Sequence, residues 1–565
     1  MTHKAPYLGL RGKRLTTALI AMVVCPAYIL IGYNNAAAGG LLTLPSFVET
    51  FPRIDTVNTA GKQQADNARI QGTVVALYTV GCMFGSLLCL KLGDKLGRLR
   101  TIMIGAVIEI VGAIIMCTSF SLGQLIVSRV VLGFGFGAIS ATVPVWQSEC
   151  SPAEHRGALV VLEGMFASCG LALSQWVELG FFFTRGSVSW RFPWAFPIVL
   201  ALWILAACIF LPDSPRWLVK KGRIDEATTI LAILEDLPED SPDIQTSIHE
   251  MQKSLAEMDQ GSLLGLFHNN GDRLLNRTFL ACFSTFSQQM NGAGVIGFYT
   301  TTIFEQYVGL SALTSRILSG SVYTWQIACS FLTIYTVDRF GRRPLMLLGA
   351  VGMGAVFIIL AGTVGHAADS RACSIISALC VFLYGFFFTV GALGVNYLYG
   401  TEVAPLAYRV PIYSLTSTTL WSINFLVVEI TPIGFTNLGN RFFIIFAVTN
   451  LCIILPGKPS VPPTPRRIQR VRICLELTQS VWLVVYFFFP ETRRHSLEAI
   501  DAVFKGANSP FDVVRRAKKI PSDVVRRVDA IHMVEAGMAD EGSASLEMQE
   551  SQSEKAVYQM VETTT

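Results

Sequence analysis

Carboxylates and guanidiniums recur in this chain at spacings that suit ion pairing. "ECSPAEHR" (149 to 156) and "EVAPLAYR" (402 to 409) both read E-x-x-P-x-x-x-R, setting Glu149 beside Arg156 and Glu402 beside Arg409. "GDKLGRLR" (93 to 100) and "VDRFGRRP" (337 to 344) add Asp94 with Arg98 and Arg100, and Asp338 with Arg339, Arg342 and Arg343. A guanidinium takes a carboxylate as a two-pronged fork, so these sets, at helix ends, could latch the two halves of the chain together and break when the halves part. A second chemistry comes from amides inside apolar stretches: Asn34 and Asn35 in "GYNNAAAGG", and Gln288, Gln289 and Asn291 in "QQMNG". Polar side chains at hydrocarbon depth are costly unless they face protein or a water-filled cavity.

The elements that must position these residues are membrane spans. Hydrophobic residues make up 52% of the 565 and charged residues only 15%, a composition of membrane proteins. Apolar segments of bilayer length occur near 15–38, 70–90, 101–120, 122–146, 157–183, 192–211, 278–304, 315–337, 344–365, 372–400, 410–431 and 441–456. The expected fold is therefore all-α, with twelve transmembrane helices in two six-helix halves. Residues 1–14 form a basic N-terminus, 15–212 the first half, 213–276 a polar helical linker, 277–505 the second half and 506–565 a polar tail. The first apolar run is too long for a secretory signal and lacks a cleavage site.

The net charge is only +4, and no basic tract interleaved with aromatics suggests nucleic-acid binding. The thirteen Cys are scattered without paired spacing, and the seven His are dispersed, so neither a disulfide framework nor a metal site is suggested. "GFGFG" (133 to 137) lacks the spacing of a nucleotide-binding loop and reads as close helix packing by small residues. No cofactor and no enzyme chemistry are expected. The basic loops at 91–100 and 338–343 belong in the cytoplasm by the positive-inside rule, which puts the linker and both termini there too. Lys91 and Lys95 are read as orientation signals alone.

The two sets of six repeat one another, as in many secondary carriers. "PDSPRWL" (212 to 218) answers "PETRRHSL" (490 to 497), yet Arg156 to Pro212 is 56 positions and Arg409 to Pro490 is 81, an excess of 25. The surplus is "PGKPSVPPTPRRIQRVRICLELTQS" (456–480), which would put Arg466, Arg467, Arg470 and Arg472 in the twelfth span. A retained intron accounts for it: Gly457-Lys458 can be encoded with a GTAAG donor, and Leu477-Thr478-Gln479 can hold a branch sequence and a CAG acceptor. A true loop between two half-spans is the alternative.

Taken together, "PDSPRWLVKKGRIDEA", "SRVVLGFGFG", "QQMNG" and "PETRRHSLEAID" resemble the sugar porter family of the major facilitator superfamily, most closely its fungal branch, over about 15–505 apart from the insert. The resemblance implies transport of a sugar across a membrane, with the substrate held mainly by spans 7, 8 and 10. Carried over, it assigns substrate contact to Gln288, Gln289, Asn291, Gln326, Trp421 and Asn424, with Tyr299 and Tyr397 as gate or wall aromatics and Asn34 facing the cavity. It assigns a cytoplasmic gate to Asp94, Arg98, Glu149, Arg156, Asp338, Arg342, Glu402 and Arg409. Several usual sugar partners are replaced: Glu163-Gly164 stands in span 5, Gly294 follows "QQMNGA", "GALGVNYL" fills span 10, and Leu420 precedes Trp421. Another sugar, a polyol or a cyclic acid could be the substrate.

Proton-coupled members commonly carry Asp in the first-span motif near an Arg of span 4; the matching pair here is Asn34 and Arg129. Asn does not titrate, and animal facilitative glucose carriers have Asn there, which favours uniport. Glu163 is the candidate for proton symport instead, because burial disfavours a carboxylate's charge; pairing with Arg129 is its simpler role. Glu109, Glu178 and Glu429 are set aside as nearer helix ends or less readily placed. A non-transporting sugar sensor of the same fold is a further alternative, with "DVVRR" (512 to 516 and 523 to 527) in its tail. The expected partners are a small sugar, protons in the symport reading, and the lipid bilayer, with the plasma membrane as the expected location.

Overall fold

The computed structural model describes residues 7–151, 156–259, 273–367, 369–405, 408–451, 481–492, 500, 503–504, 507 and 509–519. Among them there are helices and turns and no strands. The first half is α1 (Gly12–Ala36), α2 (Gly61–Leu96), α3 (Arg98–Cys117), α4 (Leu122–Cys150), α5 (Arg156–Phe182) and α6 (Val188–Phe210). The second is α7 (274–307), α8 (Ala312–Phe340), α9 (Arg342–Thr363), α10 (371–403), α11 (Arg409–Leu438) and α12 (Phe442–Leu451).

Ten helical runs among the described residues are long and apolar enough to cross a membrane, against twelve expected segments. The difference has two causes. The run Pro411–Leu451 holds two of the expected spans, because the turn Gly439–Arg441 separates α11 from α12. The helix α7 is continuous but carries Gln288, Gln289, Asn291 and Thr300 to Thr302, and a wider turn at Gln289–Ala293 loosens it where Gly292 adopts φ 89°. Residues 456–480 lie outside the described residues. The helices on either side of them, Phe442–Leu451 and Val481–Phe488, both pack on α9.

Serines start two of the helices by accepting a hydrogen bond from the first turn: Ser121 from the Gln124 amide at 3.3 Å, and Ser311 from the Thr314 amide at 3.2 Å. Single glycines make the α2–α3 and α8–α9 turns, Gly97 at φ 98° and Gly341 at φ 97°, values that an L side chain rarely adopts. Their bareness also lets a carboxylate close in: an added Cβ would stand 2.8 Å from Asp213 Oδ2 or 2.9 Å from the Glu491 carboxyl.

Within the first half, α4 packs on α2 and α3, and α1 packs on α5. The "GFGFG" stretch works as close packing: a Cβ on Gly133 or Gly137 would strike the carbonyls of Tyr78 or Cys82 on α2, and one on Gly135 would strike α3 at the Glu109 amide. The halves meet along α2 with α11 and along α5 with α8. One face of the bundle carries the α2–α3 and α8–α9 turns, the start of α1 and the linker helix Ile224–Glu235, where Arg11 pairs with Asp236 at 3.3 Å. This is the basic face.

Candidate functional site

Both halves line a central cavity. On α1, Tyr28, Ile31, Gly32 and Asn35 follow one helical stripe at spacings of three, one and three, and on α5 Glu163, Gly164, Ala167 and Leu171 follow another at one, three and four. The second half contributes Gln288 and Gln289 from α7, Gln326 from α8, Tyr397 from α10, and Tyr413, Trp421 and Asn424 from α11. The α1 and α5 backbones lie close because Gly32 meets Ala167 and Gly170 meets Ile29 with no side chain between them.

Some of the cavity's polar groups are satisfied by protein and others are not. Asn424 donates Nδ2 to Gln289 Oε1 at 2.8 Å, and Gln288 donates Nε2 to the Leu393 carbonyl at 3.3 Å. Tyr28 donates its hydroxyl to Glu163 Oε2 at 2.5 Å. Asn35 Oδ1, Gln288 Oε1, Gln326 Oε1, Asn424 Oδ1 and the indole Nε1 of Trp421 are buried and find no partner in the protein. Trp421 itself stands edge-on to Tyr78 and Phe136 of the first half, with centroids 6.2 and 5.8 Å away. The site thus offers several acceptors, one indole donor and an aromatic wall.

Of the residues singled out from sequence, Gln288, Gln289, Gln326, Trp421, Asn424, Tyr397 and Glu163 line this cavity. Asn291, Tyr299, Asn34 and Arg129 do not. Asn291 lies in the loosened turn of α7, where its carbonyl accepts the Tyr384 hydroxyl at 3.3 Å. Tyr299 gives its hydroxyl to the Val428 carbonyl of α11 at 3.3 Å. Asn34 and Asn35 were expected to share the cavity, but successive helical residues point about 100° apart, and only Asn35 faces it. Asn34 donates Nδ2 to Glu109 Oε1 on α3 at 2.8 Å.

Arg129 holds the Val75 carbonyl at 2.9 Å and lies 5.1 Å from the Tyr78 ring centroid; it makes no ion pair with Glu163, whose partner is Tyr28. Glu109 is the residue that sequence reasoning missed. It sits in the middle of α3, fully buried, not near a helix end. A lone acid in "TIMIGAVIEIVGAIIMC" was the available signal. Glu178 is likewise buried in α5 and accepts the Ser174 hydroxyl at 3.0 Å.

The basic-face motifs form two matching clusters. Arg98 forks onto Glu149 through Nε at 2.9 Å and Nη2 at 3.0 Å, and Arg342 forks onto Glu402 at 3.2 and 2.8 Å. A further carboxylate caps the following helix in each half: Asp213 accepts the amides of Arg98 and Leu99, and Glu491 those of Arg342 and Arg343. Burial pushes the Asp213 carboxyl above the usual range, with those amides and Arg98 working in the opposite sense. Both forks close within one half, so the expectation that these pairs latch one half to the other fails for them. The repeat explains it: each half inherited a complete set of partners. The side chains of Asp94, Arg156, Asp338 and Arg409 lie outside the described residues.

Bonds between the halves gather on the opposite face. Arg316 on α8, 2% exposed, donates Nη2 to the Gly40 carbonyl and to Thr43 Oγ1, both at 2.9 Å. It also pairs with Glu305 at 3.3 Å and covers the Phe182 ring at 4.4 Å. Thr302 reaches the Gly39 carbonyl at 3.3 Å, Thr301 reaches Gln175 at 2.8 Å, and Thr73 reaches Glu429 at 2.8 Å.

The family described as "Sugar (and other) transporter" matches residues 19–465. The chain is 33% identical over 513 residues to the MFS-type transporter oryC of Aspergillus oryzae, covering 89% of this chain and 88% of that one. It is 32% identical over 514 residues to the sugar transporter STL1 of Saccharomyces cerevisiae, covering 89% and 84%. Among solved structures, the xylose transporter XylE from E. coli, in a partially occluded inward-open conformation, superposes with a TM-score of 0.66 at 20% identity over 85% of this chain and 99% of that one. At that identity the likeness shows the fold, which is that of the major facilitator superfamily.

Proposed function

This chain belongs to the sugar transporter family of the major facilitator superfamily, and from that premise we propose that it carries a monosaccharide or a related polyol across a membrane by alternating access. The observation that carries the reading is the set of unpartnered buried atoms: Asn35 Oδ1, Gln288 Oε1, Gln326 Oε1, Asn424 Oδ1 and Trp421 Nε1. They line a cavity shared by the two halves. A buried polar atom without a partner is costly, and a polyhydroxylated ligand donates to the amide oxygens and accepts from the indole. Its C–H faces pack on Trp421 and the tyrosines.

Coupling turns on the buried carboxyls. Asn34 does not titrate, which alone gives facilitative uniport; Glu163 in the cavity wall gives proton symport its first candidate. Basic residues in the loops support a cytoplasmic location for both termini, and we assign the protein to the plasma membrane. Uptake of labelled glucose, xylose and glycerol in cells lacking their own carriers tests transport directly. Binding and signalling with no uptake or exchange would instead identify a sensor. Transport moves the substrate without changing its bonds, so no catalytic residue is assigned.

A further inference from the structure

We propose that Glu109 is a proton-binding site of the transport cycle, joined to the substrate cavity through α1. The inference rests on the transport reading above and replaces uniport with proton symport. Three observations carry it. Glu109 is fully buried at the middle of α3 in the membrane-spanning part of the first half. One carboxyl oxygen accepts from Asn34 at 2.8 Å, and the other, Oε2, has no partner. Among the described residues no cation is within ion-pair reach of it.

The surroundings show why a full negative charge is poorly served there. From α1 comes only the neutral amide of Asn34. From α2 come Tyr78 and Cys82, groups that feel the charge of Glu109 but offer none of the opposite sign. From α4 come Gly135, whose bare Cα lies against the Glu109 backbone, and Arg129, whose guanidinium is committed to the Val75 carbonyl and the Tyr78 ring. α6 also packs on α3, and its buried thiol, Cys208, lies at the end of the helix near Asp213. An isolated ionised carboxylate taken out of water is strongly disfavoured, and an acid inside a membrane bundle marks an ion or proton route by default. In this arrangement the site holds a neutral acid. Losing the proton needs a state in which water or the Arg129 guanidinium reaches Oε2.

The link to substrate is short. Asn34, which holds Glu109, precedes Asn35, which lines the cavity, and Tyr28, which holds Glu163, lies on the cavity stripe of the same helix. Any tilt or turn of α1 that accompanies substrate binding moves Asn34 against Glu109. The step is a simple proton transfer: the Glu109 carboxylate takes one proton from one side of the membrane, and the acid releases it to the other after the halves have moved. No electrons are exchanged and no covalent bond to substrate forms.

The test uses the full chain in cells lacking other carriers, with labelled glucose, xylose and glycerol as probes, read as accumulation ratio, substrate-induced alkalinisation of the medium, and counterflow exchange. The unaltered chain is expected to accumulate one of these probes, to alkalinise the medium, and to lose accumulation on adding a protonophore. Glu109→Gln is expected to abolish accumulation and alkalinisation while counterflow remains measurable. If Glu109→Gln abolishes counterflow as well, Glu109→Asp decides: coupled uptake with a displaced pH profile supports the site, and an unchanged profile or no coupling overturns it. Protonophore-insensitive uptake without alkalinisation by the unaltered chain, or coupling that survives Glu109→Gln, overturns the proposal and leaves transport intact. Absence of both uptake and exchange for every probe overturns the transport reading itself.

Discussion

Arg316 on α8 donates to the backbone carbonyl of Gly40, just past α1, at 2.9 Å, so a buried cation of one half ends on the main chain of the other. Neutralising it removes the Thr43 and Glu305 contacts as well. Hydrogen bonds to a charged group are worth about 1.5–3 kcal/mol each. Arg316→Ala is therefore expected to speed amide hydrogen exchange in residues 37–44 and 303–307 by roughly ten- to a hundredfold, where 1.4 kcal/mol is a factor of about ten. Unchanged exchange in both segments would show that the seal lies elsewhere.

The forks Arg98–Glu149 and Arg342–Glu402 make a different prediction, because both of their ends belong to one half. Removing one partner of a buried pair strands the other, at a cost of about 3–5 kcal/mol. Arg98→Ala should thus lower thermal stability in detergent markedly. The double change Arg98→Met with Glu149→Leu should recover much of the loss, since a well-packed apolar pair avoids the stranded charge. If the single variant unfolds at the original temperature, the fork is not a staple.

For the cavity, Trp421→Phe keeps an aromatic wall and removes the unpartnered indole N–H. Loss of one hydrogen bond of about 0.5–1.5 kcal/mol should raise the KM for the transported probe roughly two- to tenfold. Gln326→Ala, which removes an amide oxygen on the second half, should raise it by a similar or larger factor. A KM that is indifferent to both changes would place the substrate outside this cavity.

Close packing can be tested with one pair of glycines on the same helix. A Cβ on Gly135 would come 2.5 Å from the Glu109 amide, whereas one on Gly123 meets nothing within 4 Å. Gly135→Ala is expected to destabilise by about 1–3 kcal/mol, the usual range for overpacking, and Gly123→Ala to leave stability in detergent unchanged. Equal behaviour of the two variants would contradict the close approach of α3 and α4.

Residues 456–480 fall in the sequence between two short helices, Phe442–Leu451 with 10 residues and Val481–Phe488 with 8. Joined, they approach the roughly 20 residues a bilayer needs. A chain lacking 457–479 is therefore expected to reach the membrane and transport at least as well as the full chain, and transcripts spliced across the stretch are expected. Uniformly unspliced transcripts, with transport lost on deletion, would establish a true loop.

Much of this architecture was legible in the sequence because bilayer thickness and charge placement leave few choices. Apolar runs marked the spans, and the repeated E-x-x-P-x-x-x-R and glycine-arginine motifs marked the two halves. Gln288, Gln289 and Gln326 were legible as cavity residues through the resemblance to the family. What could not be read was direction. Adjacent Asn34 and Asn35 diverge by about 100°, and no one-dimensional signal says which looks inward. Nor could spacing say whether Arg98 would find Glu149 in its own half or an acid in the other. Glu109 escaped for a related reason: its importance comes from Asn34, 75 positions away in sequence.

The turns at Gly97 and Gly341 carry one more consequence. Each lets a carboxylate, Asp213 or Glu491, seat on the first amides of the next helix beside a closed arginine fork. Each half is thereby riveted to itself at its base. If the halves rock as proposed, two self-riveted blocks would move whole rather than bend, and the change would fall at the seam between them. The bonds that such a movement would have to break are those on the opposite rim, Arg316 to Gly40 and Thr43 among them.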